Sequence, residues 1–129
     1  MDAIHRTYLY NAHGHALSGQ ILRPFQETIE VQAGMSLPTT GGYGSVRAEN
    51  FRLKEVISFK SASTQVSGSF NERDNSWTTL VSTTVEGLSV LGVVTADLVM
   101  ARLASRHPVN EGEPHIVLLG SHFVNLRIA

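Results

Sequence analysis

Ala48-Glu49-Asn50-Phe51-Arg52-Leu53 leads into Val56-Ile57-Ser58-Phe59, and Val85-Glu86-Gly87-Leu88-Ser89-Val90 leads into Val93-Val94-Thr95-Ala96. A third round, Phe123-Val124-Asn125-Leu126-Arg127-Ile128, begins and meets the last residue, Ala129. Asn50 and Gly87 lie 37 residues apart, and Gly87 and Asn125 lie 38 apart. Self-similarity at a fixed period bears on the whole architecture. The two full copies share a second property. In the first, apolar residues hold odd positions through Phe51, Leu53, Ile57 and Phe59, then move to even positions at Ala62 and Val66. In the second they hold even positions through Leu88, Val90, Val94 and Ala96, then move to odd ones at Val99, Ala101 and Leu103. The switches fall at matching places, near Lys60 and Asp97. A change of side-chain phase needs a bulge or a bend, and bent strands turn the corners of barrels and sandwiches. The repeat therefore predicts two related long bent strands.

Period-two alternation extends outward from these segments. Ile29, Val31, Ala33, Met35 and Leu37 alternate with polar or small neighbours, as do Trp77, Thr79, Val81, Thr83 and Val85. Tyr8, Tyr10 and Ala12 face opposite to Leu9, Asn11 and His13. No stretch carries a helical stripe. Breaks fall at residues 37–44, at the polar tip 71–75 and at residues 108–114, and such short connections favour antiparallel pairing. The expected fold is all-β and antiparallel, a barrel or sandwich of about eight to ten strands. A short β-solenoid is the alternative, since a period near 37 could hold two rungs. Residues 1–129 read as a single β domain. The interrupted third round points to the N-terminal part of a longer protein, unless a strand near Tyr8 completes it.

Composition narrows the function classes. Charged residues make up 16% of the 129 residues, against about a quarter in ordinary soluble domains, and the net charge is −1. So weak a charge gives little repulsion between copies, which favours a homo-oligomer. It supplies no basic stripe for nucleic acid. No apolar run is long enough for a membrane helix and the opening residues show no apolar leader, so the expected location is the cytoplasm. Cysteine is absent, which removes disulfides and thiolate chemistry.

Few residues carry a chemical signal. His13 and His15 form His-x-His on a strand, so both rings project from one face. They would bind a metal if His107, His115 or His122 supplied a third ligand. Gly41-Gly42-Tyr43-Gly44-Ser45 lacks the lysine and the following helix of a phosphate loop, and reads as a turn. Asp97 is an acid in an apolar run and reads as a bend residue. Trp77, Tyr8, Tyr10 and Tyr43 are the candidates for a ligand-stacking platform. No cofactor motif is present.

The stretch from Val85 to Asp97, followed by Gly120-Ser121-His122-Phe123-Val124-Asn125-Leu126-Arg127-Ile128, resembles choice-of-anchor type repeats of uncharacterised bacterial proteins. The likeness covers about residues 45–128 and implies a β domain with no catalytic residue to carry over. The expected function is a non-catalytic interaction or assembly module that self-associates. A small-molecule or carbohydrate-binding β-barrel is the alternative, and a histidine-metal enzyme the third reading.

Overall fold

The computed structural model describes residues 8–110 and 113–129. Glu111 and Gly112, within the expected loop at 108–114, lie outside the described residues. Among those described there are ten strands and no helix: β1 (His13–Gly14), β2 (Leu17–Ile21), β3 (Glu27–Gln32), β4 (Met35–Ser36), β5 (Gly42–Leu53), β6 (Ile57–Asn71), β7 (Ser76–Val90), β8 (Val94–Pro108), β9 (His115–Val124) and β10 (Arg127–Ile128). Strands β5 to β9 form an antiparallel meander, and β10 continues β9 along the outer side of β8. β6, β7 and β8 each run 15 residues, about 50 Å at 3.4 Å per residue.

Two small antiparallel pairs, β1 with β4 and β2 with β3, form a second layer on one face of this sheet, its front. The core lies between the layers. Ala33 packs with Phe59, Ala62 and Val85, Tyr10 and Leu37 with Val66, and Ile21 and Ile29 with Ile57. Phe51 and Phe59 stack at 5.1 Å. The second layer covers the front of β5, β6 and β7. It leaves the front-facing Ile116, Leu118 and Phe123 of β9 exposed.

Among the described residues the sheet does not close. β5 and β9 are its two edges, and the segment that precedes β5 packs on the front face instead of joining them. The barrel form is thereby corrected in favour of an open two-layer arrangement. Every pairing is antiparallel, so stacked solenoid rungs are absent among the described residues. The single strand expected over residues 28–37 is two, β3 and β4, separated where Ala33 adopts a left-handed backbone (φ 53°). Val31 stays exposed.

The stretches Ala48–Phe59 and Val85–Ala96 each span the end of one strand, a tight turn and the start of the next. The turns contain left-handed residues, Lys54 in one and Leu91 with Gly92 in the other. Three more such residues line up across the sheet: Asn50 (φ 55°), Gly87 (φ 66°) and Asn125 (φ 51°). Pairing registers are the same on both sides of them, so Asn50 faces Lys60, Lys60 faces Gly87, Gly87 faces Asp97, and Asp97 faces Asn125. The five form one transverse row. Phe51 and Phe59 face front on one side of it, Ala48 and Ala62 on the other, so side-chain phase changes across the row while pairing continues. Asn125 Nδ2 donates to Asp97 Oδ2 at 2.6 Å. At Gly87 a Cβ would sit 2.7 Å from Lys60 Cγ, so the lysine stem occupies the space of the missing side chain.

Candidate functional site

The expected stacking platform is partly assembled and mostly consumed. Tyr8 lies flat on Trp77 (4.6 Å between ring centroids, 6° between planes) and meets Tyr10 edge-on at 4.8 Å. Phe70 and His107 close the cluster around the indole. Tyr8 therefore covers the Trp77 face that a sugar would need. Burial pushes the Tyr10 phenol up, and the neighbouring Tyr8 adds to the shift. Tyr43 stands apart on β5, exposed, and does not join them.

The histidines do not converge. His15 Nε2 shares a 2.8 Å hydrogen bond with Ser18 Oγ. His107 belongs to the aromatic cluster, His115 lies opposite Arg106, and His122 lies opposite Met100. Among the described residues no group of three His, Cys, Asp or Glu side chains is placed to hold a metal. Asp97 is exposed and bound by an asparagine side chain.

His13 occupies a different place, over a groove on the front face. Ala12 and His13 form one rim, Pro114 and Ile116 the other, and Thr79, Val81, Leu103 and Ser105 the floor. This cavity holds about 400 Å³, and its walls are chiefly apolar. It continues along β8 past Ala101 and Leu103 to Leu118 and Ser121. The far rim of the whole groove is β9.

β9 is the feature that the sequence patterns did not reveal. Its ten residues, His115 to Val124, contain no Lys, Arg, Asp or Glu. Apolar side chains point to both faces: Ile116 (69% exposed) and Leu118 (80%) to the front, Val117 to the back. A strand of this kind ordinarily lies in a sheet interior, covered on both faces. Here it is an edge, and natural edges usually carry lysine, proline or inward charge to block further pairing. The opposite edge, β5, does carry charge: Arg47 pairs with Glu49 at 2.7 Å, and Arg52 with Glu55 of the adjoining turn at 3.4 Å. The signal in the sequence was the run Ile116-Val117-Leu118-Leu119, which a search for alternation passes over.

β9 also contains a bulge. Leu118 pairs with Leu103 and Gly120 with Arg102, so Leu119 is an extra residue with no partner in β8. Gly120 has φ 102°. The front-facing set is thereby Ile116 and Leu118 before the bulge, and Ser121 and Phe123 after it.

No helix among the described residues is long and apolar enough to cross a membrane. No curated protein and no solved structure matches the chain. A family model does match, over residues 8–129, almost the whole two-layer unit. The chain belongs to that family, described as a domain of unknown function, DUF8256.

Proposed function

We propose that this protein is a non-catalytic interaction module that associates with itself. One observation carries the reading: the uncharged edge strand β9, apolar on both faces and, among the described strands, paired with β8 alone. Contiguous apolar surface of this kind marks interaction sites in soluble proteins. The low overall charge removes the repulsion that would keep copies apart. Light scattering over a hundredfold range of concentration tests it. The expected mass is a multiple of the 14.0 kDa chain. A single-chain mass throughout overturns the reading.

A second reading has its own observation. The groove beside His13, at about 400 Å³, lies within the range of small-molecule sites, and it pairs apolar walls with one polar ring. An apolar ligand would lie along Val81 and Leu103 with its polar end at His13. Saturable binding of an apolar fluorescent probe, abolished by Leu103→Lys, supports this reading. Unsaturable binding, or binding unaffected by the substitution, removes it. The repeat belongs to the same level of inference. What supports it is the transverse row, which collects Asn50, Gly87 and Asn125 at equivalent points of alternate strands.

A further inference from the structure

β9 does more than expose apolar side chains, because its bulge restricts how it can pair. In an antiparallel ladder, directly opposed residues place their side chains on the same face. For a strand pairing with a second copy of itself, the two numbers in each opposed pair add up to a constant. In a strand without a phase change that constant must be even, or front residues would oppose back residues. β9 changes phase at Leu119 and Gly120, so pairing across that point needs an odd constant.

The odd register that uses the whole strand places a two-fold axis between Leu119 and Gly120. It opposes Ile116 to Phe123 and Leu118 to Ser121, all four on the front. It opposes Val117 to His122 and His115 to Val124, all four on the back. Leu119 then faces Gly120 of the other copy. Every one of the ten residues finds a same-face partner. The strand contains no charge, so no like charges meet. The pairing ends at Val124, just short of the kink at Asn125, and so needs no matching kink in the other copy.

The molecule already contains the needed junction. Along the transverse row, two strands change phase at one point, one of them through a left-handed residue, and pairing resumes in the same register. Gly120 opposite Leu119 would repeat that arrangement, with the positive-φ residue supplied once by each copy.

We infer that the partner of β9 is β9 of a second copy, antiparallel, with the two-fold axis between Leu119 and Gly120. The inference rests on the self-association reading and adds its geometry. The occupant is a second copy because the bulge makes the strand complementary to itself. The two five-stranded meanders become one continuous sheet, and the bare front faces of both β9 strands lie side by side. Phe123 then covers Ile116 of the other copy at each end of the shared ladder.

Cross-linking tests the register directly, since the chain has no cysteine of its own. Two double variants are made, Ile116→Cys with Phe123→Cys, and Val117→Cys with His122→Cys, together with the four single variants. Neighbouring pairs alternate between close and wide Cβ spacing, so at least one double variant places its thiols within bridging distance. Mild oxidation of that variant is expected to give a reducible species of twice the chain mass, while the single variants give none. Leu118→Lys is expected to return the protein to single-chain mass with its circular dichroism unchanged. An oligomer that neither double variant cross-links and that Leu118→Lys leaves intact overturns this geometry but leaves self-association standing. A protein of single-chain mass before any substitution removes both.

Discussion

Asn50 shows how much one backbone angle decides. Its φ of 55° is a conformation that costs an ordinary side chain about 1–2 kcal/mol and costs glycine little. Asparagine tolerates it because its short polar side chain can bond locally. Asn50→Gly is therefore expected to leave the melting temperature nearly unchanged, and Asn50→Val to lower stability by about 1–2 kcal/mol, more than its exposed position would suggest. Thermal denaturation of the two variants side by side checks this. Equal melting temperatures would show that the left-handed geometry imposes no constraint. Gly87 is tighter, because the Lys60 stem already fills the place of a Cβ. The sequence held these positions as Asn, Gly and Asn at near-equal spacing, so their positions stood out before their geometry was known. Its conformational cause was not, since no pattern of hydrophobicity encodes the sign of φ.

At the scale of elements, the hairpin joining β6 and β7 is held by a carboxylate. Ser76 Oγ donates to Asp74 Oδ1 at 2.6 Å, and Arg106 Nε of β8 donates to Asp74 Oδ2 at 2.9 Å. The serine hydrogen bond, then the arginine hydrogen bond and charge, hold the Asp74 carboxyl below its usual range. A carboxylate with a lowered folded value contributes stability above its unfolded value, about 3.9, and loses it as pH falls through the folded one. The difference in melting temperature between the protein and its Asp74→Asn variant should accordingly be full at pH 7 and shrink below about pH 4. A difference that stays constant down to pH 2 would mean the charge contributes nothing. The polar tip at 71–75 was plain from its composition, and much of β6, β7 and β8 from their alternation, whereas Gly42 to Ser45, which read as a turn, open β5. β9 was not, because a strand apolar on both faces has no period to detect. Nor could composition show that the Tyr8 ring would spend itself on Trp77 rather than on a ligand.

For the whole molecule, protection from hydrogen exchange should follow the layers. β6 has neighbours on both sides and the second layer above it, and Val66 is fully buried. Its amides should exchange only by global opening. The outward amides of β5 should exchange quickly at every concentration, guarded by their charged neighbours from pairing. The outward amides of β9 should exchange quickly in dilute solution and slow as concentration rises. Exchange at β9 that ignores concentration would argue that it pairs with nothing.

The transverse row has a further consequence, which concerns insertions and deletions. Leave out Asn50, Lys60, Gly87, Asp97 and Asn125 together, and strict alternation returns on β5, β6, β7 and β8. Phe51, Ala48 and Val46 fall in step, as do Leu88, Val85 and Val81. The row is thus one added residue per strand, carried straight across the sheet. Loss of Gly87 alone would act like a reading-frame error in three dimensions. Either Trp77 to Val85 or Leu88 to Val90 would turn inside out, presenting apolar side chains to water and serines and threonines to the core. Five simultaneous losses would leave a sheet whose strands β5 to β8 alternate without interruption, the bulge of β9 remaining. Between those two limits every intermediate length is penalised, so the strands are bound to keep or lose their extra residue as a set.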